Sequence, residues 1–191
     1  MSLKMDIQDY MRHIENDPSE RAAGDRFVER FVSLMSKRER YIEKLKRFIP
    51  DALAAMGRSK DRSTKVGAVA VDDNFCIKGS GYNGFPRGVN DNVEARHERP
   101  LKYRWAVHAE MNVIAQAARP VLEGTTLILT SLHPCATCAG LIIQAGIKRV
   151  LTRKTEEIKR IVEGRQDWDE EAAIAMEMFK EAGIEVEYYE C

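Results

Sequence analysis

The 191-residue chain carries 44% hydrophobic and 31% charged side chains, with 30 Lys and Arg set against 30 Asp and Glu, the profile of an ordinary soluble globular protein. That balance supplies no global attraction to nucleic acid or to an anionic membrane, so neither is expected as a partner. No apolar run approaches the roughly 18 residues of a membrane span, and the amino terminus lacks the apolar segment of a secretory signal, so the expected compartment is the cytoplasm.

The first forty or so residues read as helical. Asp17-Pro18-Ser19-Glu20 has the form of a helix start, with an acid at the N-cap, proline at the first position and a reciprocal glutamate. Phe27, Val28, Phe31, Leu34 and Met35 recur at helical spacing, as do Tyr41, Ile42, Leu45, Phe48 and Ile49. The charged Lys37-Arg38-Glu39-Arg40 run between them fits a solvated helix face. Pro50 is expected to end or kink the second helix, with Asp51 to Met56 continuing helically. This division predicts a helical extension over residues 1–40 and a second domain over 41–191. The apolar face of the extension suggests packing on the core or on a neighbouring subunit.

From residue 65 the period changes. Val66 to Val71 is a nearly continuous apolar run suited to a buried strand, Asp72-Asp73-Asn74 is turn-like, and Phe75 to Ser80 returns as the second arm of a hairpin. Cys76 falls in that arm and reads as a small buried apolar residue. A loop rich in glycine follows, Gly81-Tyr82-Asn83-Gly84-Phe85-Pro86-Arg87-Gly88, then a polar stretch from Val89 to Arg104. Met111 to Ala118 reads as a helix that Pro120 stops. Beyond it come a strand at 125–130, a helix at 135–145, a strand at 148–152 and a polar connection at 155–168. A helix at 169–182 and a last strand at 184–189 complete the pattern. Strand and helix alternating over this length imply an α/β fold, a mixed sheet sandwiched between helices.

Chemistry concentrates in two short segments, His108-Ala109-Glu110 and Pro134-Cys135-Ala136-Thr137-Cys138. Two cysteines three apart share a face of a helical turn, and His108 supplies a third tetrahedral ligand. Three protein ligands leave a corner for water, and Glu110 is placed to move that water's protons. The segments therefore predict a hydrolytic zinc centre. Cys76 or His133 closing a fourth position would make the zinc structural instead, and a redox CxxC would leave His108 and Glu110 without a use. On an ideal helix Glu110 lies about 200° around from His108, so either the helix start is irregular or His108 reaches the metal from the preceding turn. With two of four cysteines at metal spacing, a reducing, cytosolic setting fits better than a disulfide framework. His13 and His97 read as surface residues.

HAE followed by PCxxC resembles the signature of the zinc-dependent cytidine and deoxycytidylate deaminase superfamily. The stretches Arg58-Ser59-Lys60-Asp61, Ser63-Thr64-Lys65-Val66-Gly67-Ala68, the loop from Gly81 to Gly88, His108-Ala109-Glu110-Met111-Asn112, and Cys138 through Ile147 resemble more specifically the deoxycytidylate (dCMP) deaminases. So does the closing run from Met178 to Ile184. The resemblance covers roughly residues 45 to 190. It implies a three-layer α-β-α fold around a five-stranded mixed sheet, and hydrolytic deamination of dCMP to dUMP and ammonia. His108, Cys135 and Cys138 would hold one Zn2+ per chain, Glu110 would be the catalytic proton shuttle, Asn83 would hydrogen-bond the nucleotide, and the Ala109 N–H would meet the pyrimidine carbonyl. Arg58, Arg62, Lys65, Arg87 and Arg104 are the cations considered for the 5′-phosphate. The resemblance also implies a homo-oligomer, hexamer or dimer, with dCTP and dTTP as effectors and Mg2+ accompanying the triphosphate.

The chain departs from that family at Arg62, where proline is usual. Having no cysteine before Cys76, it offers no second, structural zinc site. Two other functions compete with the first. One is deamination of another base, in cytidine, guanine or transfer-RNA adenosine. The other is a non-catalytic zinc-stabilised module, for which Glu110 would have no purpose.

Overall fold

The computed structural model describes residues 18–130, 133–154 and 168–190, with side chains from residue 24 onward. Asp17, His13, Cys191 and the connection at 155–167 lie outside the described residues. The chain divides into two units between Lys44 and Leu45. Helix α1 (Pro18–Lys46) begins in the first unit, ends just past that division, and is continuous through the positions that predict two separate helices. Its Lys37–Arg40 run is exposed as expected, and Phe27, Val28, Phe31 and Leu34 are also more than half exposed.

The second unit opens with α2 (Ile49–Met56), where Pro50 stands in the first turn and starts the helix rather than ending one. Proline is tolerated there because the first amides have no intrahelical acceptor. Pro120 behaves the same way. α4 (Ala109–Gln116) ends before it, and a single further turn, α5 (Arg119–Leu122), begins around it. The polar stretch before α4 is more ordered than its composition suggests, with a 3-10 turn at Glu94–His97 and a short helix α3 (Lys102–Trp105).

Strands β1 (Gly67–Val71), β2 (Ile77–Tyr82), β3 (Thr126–Leu129), β4 (Arg149–Arg153) and β5 (Glu185–Tyr189) form one sheet in the order β2-β1-β3-β4-β5. β1 is antiparallel to β2 and β3, while β3–β4 and β4–β5 are parallel. Parallel neighbours require crossovers, supplied by α6 (Ala136–Gln144) and α7 (Trp168–Ala182). β1 and β3 are buried on both faces, as their unbroken apolar runs require.

Ala68, Ala70, Leu127, Leu129 and Val150 project from one face of the sheet into a core shared with Val113 of α4, Ile142 of α6, and Ala175 and Phe179 of α7. Phe179 is 1% exposed, and full burial of such a side chain is worth about 1.5–3 kcal/mol. On the other face Gly67 lies against α2 so closely that a Cβ there would sit 2.0 Å from the Ala52 carbonyl oxygen. The result is the three-layer α-β-α arrangement around a five-stranded mixed sheet.

The hairpin corrects one expectation. Cys76 is exposed, not buried, because it belongs to the turn. Asp72 Oδ1 accepts from the amides of Asn74 and Cys76, the Asp72 amide bonds the Cys76 carbonyl, and Phe75 has φ +60°. His97 is half-buried against Phe85, ring centroids 4.9 Å apart, with Nε2 2.7 Å from the Asp91 carbonyl.

Candidate metal centre and catalytic pocket

The two chemistry-bearing segments meet at helix amino termini. His108 is the N-cap of α4 and Cys135 the N-cap of α6, both with extended backbone, and Cys138 follows in the first turn of α6. His108 thus reaches in from the preceding turn, with φ −72° and ψ 158°, so the helical angle to Glu110 does not apply. His108 Nδ1 lies 3.3 Å from Cys138 Sγ and 3.5 Å from Cys135 Sγ. Ligand bonds of 2.0–2.3 Å in a tetrahedron put nitrogen and sulfur about 3.6 Å apart, so the donors fit a zinc ion. Among the described residues these three side chains alone group closely enough to hold a metal, all donor atoms within 4.8 Å of one another. Cys76 is remote in the hairpin turn. His133 does not join the group: its Nε2 faces the Tyr188 hydroxyl at 3.2 Å and its buried Nδ1 has no hydrogen-bond partner.

Electrostatics at the trio favour metal-ready sulfur. The hydrogen bond from Cys138 holds the Cys135 thiol down to about 4 against the opposing effect of burial, with His108 helping. Cys138 is pushed up because it keeps the proton that the pair shares. His108 is raised, first by its hydrogen bond to Cys135. A bound metal cation would take the place of that proton, and helix N-termini favour the thiolates. Glu171 of α7 accepts a 2.9 Å hydrogen bond from the Ala136 amide, tying a carboxylate to the first turn of the helix that carries both cysteines.

Glu110 sits in the first turn of α4, 6% exposed. Burial raises its carboxyl above the ordinary range, outweighing the pull of His108. A carboxyl so raised holds a proton more readily than an exposed one, as a proton shuttle requires. Ala109 is fully buried, and as the first residue of α4 its N–H is beyond the reach of any helical carbonyl. β2 approaches this turn without side chains, since a Cβ on Gly81 would lie 2.5 Å from the Ala109 carbonyl oxygen.

A cavity opens from Glu110, His108 and Cys135 and is walled by Asn83, Asp61, Lys102, Tyr103 and Trp168, among others. The Asn83 amide is saturated from within the chain. Its Oδ1 accepts from Ser59 Oγ at 2.9 Å and Val66 N at 2.8 Å, and its Nδ2 donates to Asp61 at 3.1 Å and the Thr64 carbonyl at 2.8 Å. A contact from Asn83 to a ligand therefore requires exchange of one of these partners. Asp61 is the hub of the wall. It accepts from Lys102 Nζ at 2.6 Å and from the amides of Ser63 and Thr64, each at 2.9 Å. Burial raises the Asp61 carboxyl, but those donors outweigh it and leave it below its ordinary value.

None of the five cations considered in the sequence lines this cavity. Arg58 and Arg87 line a second one with Lys60, Tyr82, Phe85 and Asp91, and Arg62 pairs with Glu94 at 2.5 Å. The cations at the catalytic cavity are Arg99 and Lys102. Sequence reasoning also passed over Trp168, whose ring lies 6.0 Å from His108 and 6.2 Å from Tyr103. The Lys102-Tyr103-Arg104-Trp105 cluster was the available signal for the first group; an isolated tryptophan some sixty residues from the HAE segment carries none.

Residues 42–154 match the family model of the cytidine and deoxycytidylate deaminase zinc-binding region. Deoxycytidylate deaminases of mouse and human are each 35% identical to the chain, over 78% of its length and 80% of theirs. The crystal structure of dCMP deaminase from cyanophage S-TIM5, in complex with dCMP and dUMP, superposes with a TM-score of 0.57 at 26% identity. That match covers 77% of this chain and 97% of the phage enzyme.

Proposed function

The chain belongs to the cytidine and deoxycytidylate deaminase family, and from that premise we propose that it converts dCMP to dUMP and ammonia by hydrolysis. One observation carries the reading: the His108, Cys135 and Cys138 donors group within 4.8 Å, and His108, Cys135 and the buried Glu110 carboxyl border a single cavity, in a chain similar to named dCMP deaminases along three quarters of its length.

His108, Cys135 and Cys138 would hold the zinc, which supplies a Lewis acid able to acidify a water at neutral pH. Glu110 moves the protons. It takes one from the attacking water and gives it to N3 of cytosine as the C–O bond forms at C4, then takes the remaining proton from the new C4 hydroxyl and delivers it to the amine, so that the C–N bond breaks, the C4 carbonyl forms and ammonia departs. The Ala109 N–H binds the pyrimidine carbonyl. Trp168 and the His108 ring wall the base pocket and exclude water. Asn83 contacts the nucleotide by exchanging one of its partners, and otherwise anchors the 59–66 segment to the floor of the site.

The second cavity is suited to a triphosphate effector, dCTP or dTTP with Mg2+. It holds Arg58, Lys60 and Arg87 beside the glycine loop, and it shares Asp61, Lys102 and Ala106 with the catalytic cavity. A ligand there would act on the catalytic wall directly. The family relationship supports a homo-oligomer, hexamer or dimer, and the two ligand thiols suit the reducing cytoplasm. The deaminase domain is assigned to the 41–191 segment, and the described part of the extension before it is helical from Pro18.

The test is a substrate panel of dCMP, CMP, deoxycytidine, dCTP, guanine and a transfer-RNA anticodon stem, assayed with wild-type protein and Glu110→Ala. dCMP should be preferred, and the variant should keep its zinc but lose turnover by at least about 100-fold. Preference for a nucleoside or free base would overturn the substrate while leaving the reaction class intact.

A further inference from the structure

We propose that Arg99 recognises the 5′-phosphate and makes the pocket select nucleotides over nucleosides. The proposal deepens the dCMP reading and rests on it. A phosphate dianion at a pocket mouth requires a cation whose charge is not already spent, and of the two Lys and Arg side chains that line this cavity among the described residues, only one is without a carboxylate partner. Lys102 is held by Asp61 at 2.6 Å. Arg99 lines the cavity, is exposed, and has no carboxylate partner among the described residues.

Its guanidinium is nonetheless oriented. Nε donates to the Tyr103 hydroxyl at 3.0 Å and Nη2 to Ser63 Oγ at 3.3 Å, while the Arg99 Cζ stands 6.0 Å from the Tyr103 ring centroid. Two neutral acceptors thus fix the fork without neutralising it. Nη1 and the second Nη2 hydrogen remain for a bidentate phosphate contact, the geometry in which arginine outperforms lysine. The surroundings add donors. The Tyr103 hydroxyl accepts from Arg99 and keeps its own hydrogen to give. Lys102 Nζ, bonded to Asp61 and Ser63, has a third N–H, and Thr64 adds a hydroxyl on the same wall.

The cradle is placed for a nucleotide whose base lies at the metal centre. Trp168 lies beside both His108 and Tyr103, and Tyr103 accepts a hydrogen bond from Arg99. A continuous wall therefore runs from the metal ligands to the free guanidinium.

The test is calorimetric titration of the zinc-loaded full chain with dUMP and with deoxyuridine, for wild type, Arg99→Gln and Arg99→Lys. For Arg99→Gln the dUMP dissociation constant should rise about tenfold to a hundredfold, while that of deoxyuridine stays within about twofold. Arg99→Lys should recover part of the dUMP affinity and none of the bidentate advantage. Equal losses for both ligands, or unchanged dUMP binding, would overturn the assignment. Wild-type protein that binds dUMP no better than deoxyuridine would overturn it together with the nucleotide reading. A failure confined to Arg99 would leave wild-type conversion of dCMP intact, so the two failures are distinguishable.

Discussion

The Asp61–Lys102 pair yields an asymmetric prediction, because its members are unequally dependent on each other. Both side chains are less than 10% exposed. Asp61→Ala strands a buried ammonium with only Ser63 as partner, and frees the Ser63 and Thr64 amides and the Asn83 Nδ2 that the carboxylate satisfied. Removing one partner of such a pair costs about 3–5 kcal/mol. Lys102→Met is milder. The carboxylate keeps those three N–H donors and the Ser63 hydroxyl, and methionine refills the channel of the lysine stem, so the loss approximates one charged hydrogen bond, about 1.5–3 kcal/mol. Urea unfolding of the zinc-saturated variants measures both. With a slope of about 2 kcal/mol per molar, Asp61→Ala should lower the midpoint by about 1.5–2.5 M and Lys102→Met by roughly half as much. Equal costs, or a larger cost for Lys102→Met, would refute the view that Asp61 organises the wall and Lys102 merely neutralises it.

The lowered Asp61 carboxyl also sets a pH dependence. Since its folded-state value lies below its unfolded one, its stabilisation is complete above the ordinary aspartate range and is lost as pH falls through the folded value; the gap between wild type and Asp61→Ala in urea midpoint should therefore narrow in acid and hold constant from pH 6 to 8. Gly81→Ala places a Cβ 2.5 Å from the Ala109 carbonyl and 2.8 Å from the Val113 amide, whereas Gly79→Ala meets nothing nearer than a Val113 methyl at 3.2 Å. The first should cost about 1–3 kcal/mol and reduce turnover by displacing the Ala109–Glu110 turn, and the second should be nearly silent in both thermal melts and activity. Glu171→Gln removes the charge that holds the Ala136 amide and should weaken zinc binding about tenfold in competition with a chromophoric chelator, with the melt of the saturated protein little changed.

The sheet and the metal centre were legible in the sequence because both are written locally. β1 and β3 are short apolar runs, and each zinc-capable residue lies within a turn of a helix start. Boundaries at proline were not. Pro50 and Pro120 each begin a helical turn, and sequence does not distinguish a proline that follows one helix from one that opens the next. Cys76 reads as strand in the sequence, but the Asp72 carboxylate captures the Asn74 and Cys76 amides, and the strand begins only at Ile77. The substrate wall was least visible. Asp61, Asn83, Lys102 and Trp168 come from segments more than a hundred residues apart at the extremes, and only the fold shows which of several arginines lines the catalytic cavity.

Hydrolysis at this site is tested most directly by incubating zinc-loaded protein with dCMP in 18O-labelled water and weighing the product. The account predicts dUMP carrying one labelled oxygen at C4, one ammonia released per dUMP, and loss of both in a Glu110→Gln variant that still binds one zinc per chain. Undiminished product formation by that variant, or no dUMP from wild-type protein holding its full complement of zinc, would contradict it.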